Sequence, residues 1–399
     1  MTGTIKIHSD RDYYCSMKFK YLKIDLESNT TYNCHAAKPH TVDFNWLKNN
    51  PGNLFNTAIN VNEREQMLRN ERNNSCEQNC WAAEDNGAIS PRLYQSGVDK
   101  THLQPLSAPE IIDLTIGADC NLTCTYCCKE FSSAWRRDVV NNGNYVSDDN
   151  RHVADTKDQV LLKVSQAELK NTHKYQTLLD EITSSAPTLK KLIVTGGEPL
   201  LDNALIKVLT TLPLDKDAVI EIYTGLGVNI NRFNRLVQEL QSVPNVLLII
   251  SAETTGKNLE FNRYGIKWDE FVSKIDILRA SSVNYKFHAT LSNLTIFDFH
   301  NFYNHFKDDT IDLSFVYQPK MMSPFVLDDD SKKLIEQNVA SLPLGYSTRI
   351  LDSIRAEPAE MHRINIRAFL QEFVKRRSDL TLAVFPSTFL KWLELEHVV

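Results

Sequence analysis

The sequence predicts an α/β protein built on six strand–helix units, with a cysteine-rich segment ahead of them. Three observations support this. Six short, apolar, β-rich runs recur from residue 110 onward. Amphipathic stretches separate most of them. All eight cysteines fall at or before Cys128. Continuous apolar strands separated by helices imply a parallel sheet. Six such units make either an open sheet or a partial barrel.

Residues 1–105 read as a separate region. It is rich in Asn and carries four cysteines, with only short strand-like pieces ("KFKYLKIDL", "TYNCHA") and one helical stretch ("NVNEREQMLRNE"). "LQPLSAPE" reads as a linker. Residues 106–324 hold the βα units. Their strands are expected at "IIDLTIG", "KKLIVTG", "AVIEIYTG", "NVLLIISAE", "NYKFHATLS" and "DLSFVYQ". A polar, turn-rich spacer at 131–165 breaks the rhythm and is expected to be a lid or a disordered loop. Residues 325–399 read as mainly helical.

The chain has 399 residues, 42% of them hydrophobic, enough for a substantial core. No apolar run reaches the length of a membrane span, and the polar N-terminus has no secretory signal, so a cytoplasmic protein is expected. A net charge of −6 offers no broad basic face, which argues against nucleic acid as a partner. In a reducing compartment, eight cysteines point to metal ligands or reactive thiols rather than disulfides.

"GADCNLTCTYCCKE" places Cys120, Cys124 and Cys127 just beyond the first βα strand. The carboxyl edge of a parallel sheet is where chemistry gathers. A closed structural zinc site needs four ligands. Three thiolates in one loop suit a 4Fe–4S cubane better, leaving one iron without a protein ligand. Cys128 follows directly, with its side chain directed elsewhere, and reads as a buried small hydrophobe.

C-x₃-C-x₂-C with Tyr126 before the last cysteine resembles the signature of the radical S-adenosylmethionine (SAM) superfamily. "TGGEP", Thr195 to Pro199, ends the next strand and resembles that family's GGEP motif. The resemblance implies a TIM-like partial (β/α)₆ barrel. It also implies a SAM-binding 4Fe–4S cluster on Cys120, Cys124 and Cys127, whose open iron chelates SAM. Gly196, Gly197, Glu198 and Pro199 would help to orient the cofactor. Thr224, in "YTGLG", stands where the family often reads TNG, but Gly225 replaces the Asn. Ser251 and Glu253 would bond the ribose, and Arg263 would pair with the SAM carboxylate. "TLSNLTI" would offer backbone to adenine or serve as an ordinary loop. Lys129, Trp135, Arg136 and Arg137 read as a solvated helix end, with substrate recognition as the alternative.

Cys15, Cys34, Cys76 and Cys80 form a second set of four, the last two at i and i+4. Four thiolates close a coordination shell, around zinc or around iron–sulfur. The chain resembles twitch and SPASM proteins, which usually carry such centres after the barrel. The resemblance therefore implies an auxiliary 4Fe–4S cluster placed in front. His35 is a possible substitute ligand, and a surface histidine is the simpler reading.

The function implied is reductive cleavage of SAM to a 5′-deoxyadenosyl radical, followed by hydrogen abstraction from a peptide of the ribosomally made class. A flavodoxin or ferredoxin would supply the electron. The alternatives are a small-molecule dehydrogenase or epimerase of the same superfamily, and a non-catalytic zinc-binding interaction protein.

Overall fold

The structure, a computed structural model, describes residues 13–87, 90–96, 108–146, 150–162, 172–202, 205–355 and 360–397. Most of the expected linker lies outside the described residues. Strands β1 (Tyr21–Asp25), β2 (Thr30–Tyr32) and β3 (His40–Thr41) come from the cysteine-rich part. All six expected barrel strands form. They are β4 (Ile111–Thr115), β6 (Lys191–Thr195), β7 (Val219–Thr224), β8 (Val246–Ser251), β10 (Asn284–Leu291) and β11 (Ile311–Phe315). Two short pieces, β5 (Thr123–Cys124) and β9 (Arg263–Tyr264), pair antiparallel, with Cys124 opposite Arg263.

The large sheet runs β11-β10-β8-β7-β6-β4-β1-β2-β3. From β4 to β11 the barrel strands follow chain order, as successive βα units require. β11 and β4 are not neighbours, so the sheet is open: a partial (β/α)₆ barrel. β1 lies parallel to β4, with Ile24 opposite Leu114, and β2 folds back antiparallel on β1. The strand-like pieces of the cysteine-rich part thus extend the barrel sheet rather than forming one of their own.

Two compact units are present. One comprises Met1–Ile116, Ala167–Val194 and Thr211–Ile220. Its small core gathers Tyr14, Cys15, Phe19, Tyr21, Met67, Cys76, Cys80 and Trp81. The helix Ala58–Leu68 starts where Thr57 accepts the Asn60 N–H, and it supplies Met67 to that core.

The other comprises Gly117–Gln166, Thr195–Thr210 and Glu221–Val399. On β10, Phe287, Ala289 and Leu291 are buried while Lys286, His288 and Thr290 are half-buried, the alternation of a strand with one packed and one open face. β8 and β11 flank it in parallel register, His288 lying opposite Ser251 on one side and Asp312 on the other. Late in the chain, the helix Glu360–Lys375 buries Ile366, Phe369, Leu370 and Phe373, one apolar stripe at helical spacing.

The spacer at 131–165 is not a disordered loop over its described part. It contains the helices Ser133–Asn142 and Thr156–Leu161. Among the described residues, no helix is long and apolar enough to cross a membrane.

Candidate active site

The three-cysteine loop is held by backbone on one side and by packing on the other. Cys120 is buried, and Cys124 and Cys127 are half-buried. The Leu122 N–H approaches Cys120 Sγ at 3.4 Å. Burial pushes the Cys120 thiol up to about 12, with Cys124 and Glu198 adding to the effect. Burial also raises Cys127 well above the usual thiol range, reinforced by its neighbours Cys124, Cys128 and Cys120. Three thiols crowded so closely resist separate ionisation, and a bound cation would relieve that. Cys128 is 1% exposed and its thiol engages Glu130.

The Thr195–Pro199 segment is laced to this loop. Gly197 N–H donates to Gly117 O at 2.9 Å, and Glu198 N–H donates to Asp119 O at 2.8 Å. A Cβ on Gly197 would stand 2.4 Å from Asp119 O, so the glycine is required by the cysteine loop itself. The Glu198 carboxylate is wholly engaged within the protein. It accepts from Thr224 Oγ1 (2.6 Å), Gly225 N (3.0 Å), Gly227 N (3.0 Å) and Leu200 N (3.2 Å). Burial raises its pKa, partly offset by those donors. Glu198 and Thr224 therefore brace the loop after β7, and Pro199 opens the short turn that follows. A Cβ on Gly225 would meet Leu122 Cδ1 at 3.1 Å, which gives a packing reason for its departure from the TNG pattern.

Arg263, Glu253 and Tyr126 form one buried group. Arg263 Nη2 lies 2.6 Å from Glu253 Oε2 and 2.5 Å from Tyr126 Oη, and Nη1 lies 3.9 Å from Cys124 Sγ. Burial raises Glu253, opposed by the Arg263 charge. Glu253 Oε1 and Arg263 Nε are buried without a hydrogen-bond partner among the described residues. Buried orphans of opposite polarity beside the cysteine loop fit a polar ligand that supplies both a donor and an acceptor. Ser251 sits on the half-open face in register with His288.

The basic stretch after the loop is a solvated helix end only at Arg137, which is exposed. Trp135 is 0% exposed, and Lys129 and Arg136 are also buried. Trp135 Nε1–H donates to Cys124 O at 2.9 Å, and His152 Nε2–H donates to Cys127 O at 2.8 Å. The two rings lie 4.5 Å apart, centroid to centroid. Lys129 reaches Asp158 (2.6 Å) and Asp155 (3.0 Å), tying the spacer to the loop. Ser132 caps the Ser133–Asn142 helix, accepting from Trp135 N and donating to Leu122 O. "FSSAW" carried that N-cap signal in the sequence. "TLSNLTI" behaves as a βα loop, with Asn293 Nδ2 donating to Met321 O at 2.7 Å. Sequence reasoning missed His288, whose Nε2 lies 3.0 Å from Ser314 Oγ.

In the first unit, Cys15, Cys34, Cys76 and Cys80 line one cavity together with Lys18 and Arg92. All four are buried. Burial pushes Cys34 up to about 12, with Cys15 contributing. His35 is exposed, its ring 6.1 Å from that of Tyr21. Among the described residues, no three His, Cys, Asp or Glu side chains converge on a single ion position. The donor sets nevertheless suit soft iron–sulfur clusters. One is a loop of three thiols, two of them half-buried, with polar orphans beside it. The other is an enclosed pocket of four.

The site thus belongs to the class of α/β proteins that gather cysteines at the carboxyl edge of an open parallel barrel. Among solved structures, the chain is similar to native anSMEcpe with bound AdoMet (15% identity, TM-score 0.37), covering 62% of this chain and 63% of that one, less than two thirds of its length. It is also similar to SuiB of Streptococcus suis (16% identity, TM-score 0.37, 84% of this chain and 70% of that one). A third is SuiB bound to precursor peptide SuiA (14% identity, TM-score 0.35, 72% and 55%). No family model and no curated protein matches the chain.

Proposed function

We propose that this protein is a radical SAM enzyme. The observation that carries the reading is the double lacing of the Gly197–Glu198 backbone to Gly117 and Asp119, which fixes the three-cysteine loop against the end of β6. Cys120, Cys124 and Cys127 would hold a 4Fe–4S cluster with one iron open to SAM. When bound, that pair supplies a reductively formed 5′-deoxyadenosyl radical that takes a hydrogen atom from substrate.

The protein's own residues do the holding. Trp135 and His152 fix the carbonyls of Cys124 and Cys127. Arg263, clamped by Glu253, keeps positive charge beside the Cys124 sulfur. The orphaned Glu253 Oε1 and Arg263 Nε are the atoms offered to the cofactor. Glu198 acts at one remove, by bracing Gly225 and Gly227. The four-cysteine cavity would hold an auxiliary 4Fe–4S cluster. The substrate is a peptide, modified by crosslinking, epimerisation or side-chain oxidation, as the likeness to twitch and SPASM enzymes implies.

Anaerobic reconstitution with iron and sulfide, followed by a 5′-deoxyadenosine assay with dithionite or flavodoxin, tests this. The C120A/C124A/C127A variant loses SAM cleavage, and cleavage retained there overturns the proposal. C76A/C80A keeps cleavage while losing about half the iron, as two four-iron clusters require. Zinc in place of iron in both sites would favour the non-catalytic reading.

A further inference from the structure

We propose that Lys18 sets the charge of the four-cysteine pocket and thereby tunes the midpoint potential of the centre held there. The inference rests on reading that pocket as an iron–sulfur site.

Lys18 is 0% exposed, and its side chain lines the same cavity as Cys15, Cys34, Cys76 and Cys80. Its Nζ lies 2.5 Å from Glu63 Oε2 and 2.8 Å from Ser75 Oγ. An ammonium has three donors, and these contacts use two. Ser75 Oγ in turn stands 4.0 Å from Cys76 Sγ. Burying a Lys–Glu pair costs several kcal/mol of desolvation per ion, and an apolar pair of equal volume would pack the space as well. Its retention here has an electrostatic use, because Glu63 is not among the residues lining the cavity. The pair is therefore a buried dipole with its positive end on the cysteine side.

The Arg92 guanidinium, a second cation on the cavity wall, is held by Glu84 at 2.6 Å. Neutral thiols have little need of two cations on the cavity wall, whereas thiolates on a metal centre do. Four thiolates leave either zinc or a cubane negatively charged. Only the cubane gains a further negative charge on reduction, and a buried cation stabilises that state most.

The test uses the full chain carrying C120A/C124A/C127A, so that the four-cysteine pocket is the remaining centre. It is reconstituted anaerobically with iron and sulfide, then titrated redox-wise with electron paramagnetic resonance detection. E63Q leaves Lys18 uncompensated and is expected to raise the midpoint potential. K18M/E63Q removes the cation without stranding the carboxylate and is expected to lower it. Each shift should reach a tenfold change in the reduced-to-oxidised ratio, about 59 mV for a one-electron couple. A merely structural Lys18 would change iron retention or thermal stability and leave the midpoint in place. Unmoved midpoints in variants that hold wild-type iron overturn the inference. If K18M/E63Q fails to take up iron, the upward shift in E63Q decides alone. A triple-alanine background holding no iron–sulfur signal overturns the underlying reading of the pocket, a failure seen in the iron count rather than in the potential.

Discussion

Trp135 donates its indole N–H to the main-chain carbonyl of Cys124 at 2.9 Å, so a buried aromatic fixes the backbone of a proposed cluster ligand. The same ring packs on His152, Tyr145, Phe369 and Phe373. W135F keeps much of the packing and removes one of two donors to that carbonyl, which still accepts from the Cys127 N–H at 3.0 Å. The expected cost is about 0.5–1.5 kcal/mol. Urea denaturation measures it, and iron content after reconstitution should fall with it. An unchanged denaturation midpoint would show that the hydrogen bond is dispensable.

G197A and G225A separate two reasons for glycine near the site. At Gly197 an added Cβ would sit 2.4 Å from a backbone oxygen, which moves only if the cysteine loop moves. Overpacking of this kind costs about 1–3 kcal/mol, and the variant should reconstitute poorly. At Gly225 the neighbour is the tip of Leu122, at 3.1 Å, and a side chain can turn aside. G225A should therefore stay within about 1 kcal/mol of wild type. Equal losses at the two positions would refute the distinction.

The barrel was legible because its strands, buried on one face and half-buried on the other, leave nearly continuous apolar runs, and "KKLIVTG", "AVIEIYTG" and "NVLLIISAE" each became a strand. The cysteine loop was legible because its spacing is local. What escaped depended on contacts distant in sequence. His152 reaches Cys127 across twenty-five positions, and its role cannot be seen in "DDNRHVAD". Lys18 carries no local signal in "SMKFKY", because its partners Glu63 and Ser75 lie 45 and 57 positions away. The spacer was misread because its polar composition hid the Ser132 cap and the Lys129–Asp158 tie.

Glu198 to Gln replaces an acceptor-only group by an amide that must turn donors toward donors. The carboxylate takes four hydrogen bonds, from Leu200, Thr224, Gly225 and Gly227. Hydrogen bonds to a charged group contribute about 1.5–3 kcal/mol each, so losing one is measurable. E198Q should lower stability by about that amount and weaken SAM binding, since the loop it braces carries part of the proposed site. Calorimetric titration with SAM on the reconstituted protein reads the second effect. Binding at wild-type strength in a destabilised variant would remove Glu198 from the site and leave it a purely structural brace.

Asp138 gives the clearest pH dependence. Its carboxylate sits between Arg376 Nη1 at 2.8 Å and Arg377 Nη2 at 2.6 Å, with all three side chains nearly buried. Burial works to raise its pKa, but hydrogen bonds from Arg376 and Asn142 and the charge of Arg377 outweigh this and leave it below the usual carboxylate value. A carboxyl depressed in the folded state contributes stability that is fully present above its unfolded pKa of about 3.9 and is lost as pH falls through the folded value. Acid should therefore loosen the helix Glu360–Lys375 from the helix Ser133–Asn142 below about pH 4. D138N takes the carboxylate from Arg377 but leaves Arg376 its Glu372 partner at 2.8 Å, and should cost about 3 kcal/mol at neutral pH. The acid limb of its stability profile should also be flatter than that of wild type. Parallel acid limbs in the two proteins would mean that other carboxyl groups govern the acid transition, and that this clamp does not couple to pH.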